Sequence, residues 1–567
     1  MTTAATSAAD VIVGQLEALG VPVCFGVPGS QNVWLFEALR RSRVRTVVGS
    51  DEMAAAFMAA AYARVTGGLA VLTTIPGPGF TFSLPGIAEA RADSAALLYL
   101  ATTVDRKSHP FTLQLLPQRE IAAGIAKAVV VIESVAEIGP AIARAAALAT
   151  SGEPGPVVVE IDSELLHQPA PAAAPQPLAT GGAVPDLAAV VGRLAAARRP
   201  LFFLGQGARD AGRAIQQYAT ARTMPIVTTC SGRGIVPESD RLVLYRDFSF
   251  GLGPTLPKLI EQADLVVAVG CKFSHNGTAG FELPFHADRL IHIDRSPEVL
   301  AARYCGGTSV EADAAAFGAA LNGVLGEAGP TDWSADELAV TRRTLDQERV
   351  TSLPFPPTVE QGPAIGELFA ELDSALPASR IVTTDSGYHQ GLVRSLARVH
   401  RPMGLLAPTD FQSMGFGLPA AIAAKVAEPD AVVVACIGDG GFAMMAGEIL
   451  TARREGLDLI VVVFNNGALG LIENSQVRRF GHRAGTQLIN PDFALAAAAL
   501  GATYHLGNDG FGAALRTAAA AGGVHLIELA LGARQGLAAA QARAVVRETA
   551  KRAMGSGLLG FLRRLRR

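Results

Sequence analysis

Asp439 and Asn466 are the residues whose type and setting point most directly to chemistry. Asp439 lies in GDGG (438–441), straight after an apolar run from Ala431 to Ile437, and Asn466 ends an Asn pair that follows a second run, Leu459 to Phe464. Runs of this length bounded by turn residues read as buried parallel strands. Between them, residues 442 to 455 carry apolar side chains at helical spacing and stop at Gly456, so the unit is strand, helix, strand with a right-handed crossover. Asp439 and Asn466 then fall at the carboxyl ends of neighbouring strands, where open parallel sheets place ligands. Gly438, Gly440 and Gly441 at the helix start leave backbone N–H groups for phosphate oxygens. A carboxylate and an amide oxygen beside a phosphate site are hard ligands suited to Mg²⁺, with phosphates and water completing the octahedron. Taken alone, the same residues are two turns at strand ends.

Strand and helix alternate along most of the chain. Residues 9 to 19 have amphipathic spacing, Val21 to Val27 reads as a strand before Pro28, and VRTVVGSDEMAAAFMAAAYARVTGG (44–68) reads as a strand running into a helix near Glu52. The alternation continues to PVVVEID (156–162), as in a doubly wound α/β domain. A nearly uncharged Pro- and Ala-rich linker (167–185) follows, and a second stretch with PFPPTVEQGP (354–363) closes a second α/β pattern. The breaks predict α/β domains at 1–166, 186–345 and 362–535, with a C-terminal helix and basic tail at 536–567. In that tail Leu558, Leu559, Phe561, Leu562 and Leu565 can share a helical face opposite four arginines. Both an interfacial membrane helix and a packed or frayed basic end fit it.

Composition narrows the function. The 567 residues carry a net charge of −3, which gives no footprint for a polyanion and argues against nucleic acid as a partner. Cys24, Cys230, Cys271, Cys305 and Cys436 lack metal-ligand spacing and read as small core residues in a reducing, cytoplasmic setting. The first residues lack a basic segment and a long apolar core, so no signal peptide is expected. No apolar run approaches the roughly 18 residues needed to span a membrane.

GDG followed by NN across residues 438–466 is similar to the signature of thiamine-diphosphate-dependent enzymes. FGVPGS (25–30), SDEMAAAFMAAAYARVTG (50–67), IPGPGFTFSLPGIAEARADSAALL (75–98) and FQSMGFGLPAAIAA (411–424) resemble blocks of the acetolactate synthase branch of that superfamily. The resemblance spans roughly residues 9 to 530. It implies three doubly wound parallel-sheet domains: an N-terminal pyrimidine-binding domain, a central domain and a C-terminal diphosphate-binding domain.

The resemblance also carries roles residue by residue. Glu52 matches the glutamate that bonds the cofactor's pyrimidine and drives proton transfer. Its own setting agrees, because a carboxyl followed by Met53, three alanines, Phe57 and Met58 at a helix start is poorly hydrated and suited to moving a proton. The plainer reading is an acid favoured by the helix dipole. Met414 matches the bulky residue over which the cofactor bends. Asp439, Asn466 and the backbone oxygen of Ala468 match the Mg²⁺ ligands. Gly438, Gly440 and Gly441 would hold the diphosphate, with Gly387, Tyr388 and His389 at its edge and Gln412 and Leu471 in cofactor-contacting stretches. Gln114 falls near a glutamine placed close to the reacting carbons, and Phe80, Leu469, Ile472 and Glu473 are expected to wall the substrate pocket.

The implied activity is decarboxylation of a pyruvate-like 2-oxo acid, after which the carbon nucleophile left behind joins a second carbonyl acceptor. The first domain lacks the adjacent histidines of simple decarboxylases: it has only His109, and Ile75 stands where another branch places one. Glu473 and Ser475 replace residues tied to acceptor choice in typical acetolactate synthases, and Phe80 and Phe82 depart from the usual loop, so a different acceptor is expected. GQGA (205–208) and HIDRSP (292–297) resemble FAD-binding stretches of some relatives, while others leave this domain empty, so FAD stays open. A flavin would favour a pyruvate-oxidase-like reading. A cofactor-binding subunit without catalysis would have lost Glu52, Asp439 or Asn466, and all three are present. The family's domain arrangement implies a homodimer or homotetramer.

Overall fold

Three parallel six-stranded sheets, each flanked by helices, build the chain. The structure is a computed structural model and describes residues 6–104, 109, 111–170, 187–245, 247, 252–302, 304, 306–326, 329–351 and 363–532. The tail expected at 536–567 lies outside the described residues, as does most of the first linker.

The first sheet contains β1 (Val23–Gly26), β2 (Arg45–Val48), β3 (Ala70–Thr74), β4 (Leu97–Thr103), β5 (Ala128–Ile132) and β6 (Pro156–Asp162), in the order β2-β1-β3-β4-β6-β5. The second contains β7 (Pro200–Leu204), β8 (Ile226–Thr228), β9 (Val243–Tyr245), β10 (Leu265–Val269), β11 (Leu290–Asp294) and β12 (Thr308–Glu311), in the order β12-β11-β10-β7-β8-β9. The third contains β13 (Ile381–Thr384), β14 (Leu405–Leu406), β15 (Val433–Gly438), β16 (Leu459–Asn465), β17 (Thr503–Leu506) and β18 (Val524–Ala530), in the order β14-β13-β15-β16-β18-β17. The first and third sheets therefore share one strand order, and the central sheet has another.

The unit around Asp439 forms as its periodicity predicts, with β15 and β16 parallel and Val434 opposite Ile460. The segment between them is two helices, Asp439–Met445 and Glu448–Arg454, where the spacing predicted one. It breaks at Gly447, whose carbonyl accepts from the Ser50 hydroxyl at 3.1 Å while Glu448 accepts from the Ser50 N–H at 2.8 Å. The first domain thus supplies hydrogen bonds at the point where the helical ladder is interrupted.

The first and third domains share a core. Helix Glu52–Thr66, with alanines at 54–56, 59–61 and 63, packs on helix Gly417–Ala427, which is equally rich in small residues. Small side chains let helices approach closely. At one end Phe57 meets Phe416 edge-on at 5.7 Å, and Arg64 donates to Ala407 O at 2.9 Å and pairs with Asp93 at 2.6 Å, fully buried. The central and third domains are joined by the buried pair of Arg394 with Asp247 at 2.6 Å, and by Arg233, which pairs with Glu238 of its own domain at 2.6 Å and donates to the carbonyls of Arg394 and Ala397, each at 2.6 Å. Removing one partner of such a pair leaves an uncompensated buried charge. No helix among the described residues is long and apolar enough to cross a membrane.

Candidate active site

The carboxyl ends of β13, β14, β15 and β16 converge on one crevice of the third sheet. Asp439 begins the helix after β15 and is almost fully buried. Its Oδ1 accepts from Gly440 N–H at 3.0 Å, and its Oδ2 from Gly467 N–H at 2.7 Å and Asn490 Nδ2 at 2.8 Å. Asn466 Oδ1 accepts from Ala468 N–H at 3.0 Å, so the carboxylate and amide face one turn after β16. The segment ending at Leu488 folds back over this turn: Leu469 N–H reaches Thr486 O at 2.8 Å and Leu488 N–H reaches Gly467 O at 2.9 Å. Asp439, Asn466 and Ala468 are therefore neighbours.

Glycines are required where the walls close in. A Cβ on Gly440 would lie 3.2 Å from Met414 Cε and 3.3 Å from Leu469 Cδ2, so Met414, Gly440 and Leu469 form one apolar cradle beside Asp439. A Cβ on Gly441 would lie 1.7 Å from Asp385 Oδ2. Asp385 follows β13, is fully buried, and accepts from Gly417 N–H at 2.5 Å through Oδ1, while Oδ2 has no partner. Burial pushes its carboxyl up to about 7. His389 stands beyond Gly387 and Gly438, where an added Cβ at either would meet its ring at 2.7 Å, and it stacks on Phe464 with centroids 6.2 Å apart. Burial lowers its pKa to about 3, so the imidazole is neutral, and its buried Nε2 has no partner.

This donor set fits a diphosphate with Mg²⁺. The described residues hold no cluster of three or more His, Cys, Asp or Glu side chains poised to bind a metal. An ion held by Asp439, Asn466 and the Ala468 carbonyl would need phosphate oxygens and water to complete its shell, which is how Mg²⁺ is commonly bound. The unpaired imidazole nitrogen of His389 is a ready donor for a phosphate oxygen.

The remaining expected residues divide. Gln412 lies on the Met414 loop with φ +65°, but its amide donates to Pro408 O at 2.8 Å and to Thr409 O and so holds the loop itself. Tyr388 is buried in the core of the third domain. Leu471 and Ile472 are exposed at 41% and 51%, whereas Glu473 turns inward and pairs with Arg483 at 2.9 Å. Phe80, expected in a pocket wall, is fully buried and stacked on Tyr99 at 5.9 Å. The helix beginning at Pro78 turns Phe80 to the sheet and Phe82 to solvent at 58% exposure.

Glu52 begins its helix at the carboxyl edge of the first sheet. The capping role belongs to its neighbour, since Asp51 Oδ1 accepts from Ala54 N–H at 2.8 Å. Glu52 Oε1 lies 3.1 Å from where a Cβ on Gly79 would be, and Gln114, at φ +63°, packs against Gly77. The amide oxygen of Gln114 is buried without a partner. Glu52 and Gln114 thus share one edge of the first domain, but that edge is not the Met414 crevice of the same chain. On the helix that starts beside Glu52, Glu89 Oε2 accepts from Ser413 N–H at 3.2 Å. Gly79 and Glu89 are ten residues apart on one helix, about 15 Å at the helical rise.

Two residues of the crevice escaped the sequence reading. Asp385 was visible only as a polar residue after a strand. Asn490 bridges Asp439 Oδ2 and Asn465 Oδ1, each at 2.8 Å, and Asn465 in turn donates to Glu528 at 2.7 Å. Asn490→Ala is expected to weaken Mg²⁺ binding about tenfold, because second-layer hydrogen bonds orient metal ligands. Mg²⁺ titration of the cofactor-loaded protein by calorimetry checks this.

The central sheet has its own cleft, lined by the turn after β7 (Gly205, Gly207) and by Asp294 at the end of β11. Its volume is about 220 Å³. Lys272 crosses it to pair with Glu153 at 2.6 Å, and Arg209 crosses to the carbonyls of Arg64 and Val65. A flavin dinucleotide entering this cleft would have to displace the Lys272 and Arg209 bridges.

A doubly wound sheet that gathers an aspartate, an asparagine pair, close-packed glycines and an unpaired imidazole at its carboxyl edge defines an α/β protein whose crevice suits a phosphorylated ligand. The chain matches the thiamine pyrophosphate enzyme family in three segments: its N-terminal TPP binding domain at residues 6–126, its central domain at 187–321 and its C-terminal TPP binding domain at 385–529. It belongs to that family, in the acetolactate synthase-like branch. It is 31% identical to acetolactate synthase 1, chloroplastic, of Oryza sativa subsp. japonica, over 85% of this chain and 77% of the relative. It is 30% identical to acetolactate synthase 3, chloroplastic, of Brassica napus, over 85% and 76%. A probable 2-ketoarginine decarboxylase AruI of Pseudomonas aeruginosa is 32% identical over 92% of this chain and 94% of its own length.

Proposed function

We propose that this enzyme, with thiamine diphosphate and Mg²⁺, decarboxylates a pyruvate-like 2-oxo acid and joins the remaining carbon nucleophile to a second carbonyl compound. When bound, the cofactor supplies the carbon centre that adds to the ketone and accepts the electrons freed as CO₂ leaves. Asp439, Asn466 and the Ala468 carbonyl hold the cation, and Gly438, Gly440, Gly441 and His389 hold the diphosphate. Met414 and Leu469 keep the crevice apolar, which favours a step that disperses charge. Glu52, relieved of capping by Asp51, holds and moves the proton at the pyrimidine.

The observation that favours ligation over protonation is the edge around Glu52. Its described neighbours there are Ile75, Gly77, Gly79 and Gln114, and the described His109 is solvent-exposed beside Phe111. Among the described residues that edge shows no imidazole placed to protonate the carbon nucleophile. Simple decarboxylation is the second reading, supported by the likeness to the Pseudomonas relative, named as a probable 2-ketoarginine decarboxylase. Mass spectrometry of products from pyruvate and basic 2-oxo acids, each with and without aldehyde and ketone acceptors, separates them. Ligated products are expected, and an aldehyde as sole product in every mixture would replace the first reading by the second.

A second copy of the chain completes the site in this reading, which is supported by the roughly 15 Å of helix between Gly79, beside Glu52, and Glu89, which holds the Met414 loop of the same chain. The purified protein is expected to show no visible flavin band. A flavin spectrum would mean that the Lys272–Glu153 bridge opens and would revive oxidation as the fate of the carbon nucleophile.

A further inference from the structure

The loop from Pro408 to Phe416 carries Met414, yet much of what fixes it comes from the first domain. Glu89, on helix Pro78–Ala92, is fully buried and accepts the Ser413 N–H at 3.2 Å. On its other side Ser413 O accepts from Ser386 N–H at 3.3 Å, which ties the loop to the diphosphate edge beside Gly387. One turn along the helix, Asp93 accepts from the Thr409 hydroxyl at the start of the same loop and pairs with Arg64. Glu89 Oε1 and the Ser413 hydroxyl are both buried without partners. We propose that Glu89 is a positioning residue for cofactor binding, fixing Met414 through Ser413 from the pyrimidine-binding half of the same chain. The proposal rests on the chain's use of thiamine diphosphate and not on which reaction follows.

The electrostatics suit a neutral acid in this role. Burial first, and then the charge of Asp93, push the Glu89 carboxyl up to about 8, against a smaller opposing pull from Ser413 and Arg64. Asp93 itself faces Arg64, Thr409, Asp410 of the loop and Lys272 of the central domain. Below pH 8 Glu89 is a neutral side chain that can serve both Ser413 groups. Above it, a second buried anion stands next to Asp93 with one oxygen unsolvated, and the loop must shift to admit water or a counter-charge. Loop order is fully supported below the ordinary glutamate value of 4.5 and is lost as pH rises from there through about 8.

The test reads cofactor binding directly, by protein fluorescence on titration with thiamine diphosphate and Mg²⁺ between pH 6 and 9.5. Glu89→Ala leaves the Ser413 N–H without an acceptor and is expected to weaken binding about tenfold at pH 7. Glu89→Gln supplies an uncharged acceptor and donor of the same shape. It is expected to recover most of that loss and to remove the weakening seen in the parent above pH 8. Circular dichroism and thermal melting show whether each variant is folded; should Glu89→Ala not fold, the pH profile of Glu89→Gln decides. Unaltered affinity in a folded Glu89→Ala, or an alkaline limb that persists in Glu89→Gln, overturns the assignment. Failure of the parent to bind thiamine diphosphate at all would instead count against the functional reading beneath it.

Discussion

Chains carrying Glu52→Ala and chains carrying Asp439→Ala are each expected to be inactive alone and to regain activity when co-expressed. Loss of Glu52 removes the proton-moving group, a change of about 10²–10⁴ in turnover, while cofactor binding persists. Loss of Asp439 removes the only carboxylate among the proposed Mg²⁺ ligands. In one chain Glu89, ten residues along the helix from Gly79 beside Glu52, is what reaches the Met414 loop, and the proposed reading therefore assigns the two halves of the chemistry to different sites. A mixed dimer then has one site in which both halves are damaged and one in which both are intact. With random pairing about a quarter of the sites are whole, since the symmetry of a closed dimer gives each site one half from each copy. Mixed dimers isolated with two affinity tags and still inactive would show that the site lies within a single chain.

The second large effect is at Gly441. Gly441→Ala places a methyl 1.7 Å from Asp385 Oδ2 and 2.9 Å from its Cγ. Asp385 cannot swing away, because Oδ1 holds the Gly417 N–H and the side chain is fully buried. Overpacking of this kind costs about 1–3 kcal/mol or more, and here it falls on the turn that would hold the diphosphate. Thiamine diphosphate affinity is expected to drop by about one to two decades, as roughly 1.4 kcal/mol corresponds to tenfold, with a fall of several degrees in melting temperature. Adding Asp385→Ala removes the obstructing oxygen, so the double variant is expected to lose less than the two single losses summed. Gly14→Ala is a matched control, as nothing lies within 4 Å of its added methyl. Strict additivity of the Gly441 and Asp385 changes would show that this contact is not what makes Gly441 necessary.

Local pattern made part of the site legible. The Gly438–Asn466 unit is a strand, turn, helix and strand whose apolar periods and glycine punctuation lie in one stretch of sequence, and it was found at nearly its true bounds. The helix start at Glu52 was legible because the apolar stretch behind it is continuous, whereas the role of Glu52 came only from the resemblance. What failed depended on helix phase and on distant contacts. Phe80 and Phe82 are two residues apart, and only the start at Pro78 after Gly77, at φ +66°, decides which faces the sheet. Asn490 lies far along the chain from Asp439, in a stretch with no period that points at it. The strand orders were likewise unreadable, because alternating strand and helix is compatible with both orders seen here.

The shared strand order of the first and third sheets has a further meaning. Helix Glu52–Thr66 follows β2 and leads to β3; helix Gly417–Ala427 follows β14 and leads to β15, the same place in the same order. The two helices that bury each other are thus topological counterparts, and the chain holds within itself a quasi-dimer of one domain design. The alanine face each presents belongs to neither domain alone. Cut apart at the linkers, either domain would expose a flat apolar helix with no partner, so the modules visible in the topology are not modules that can be separated.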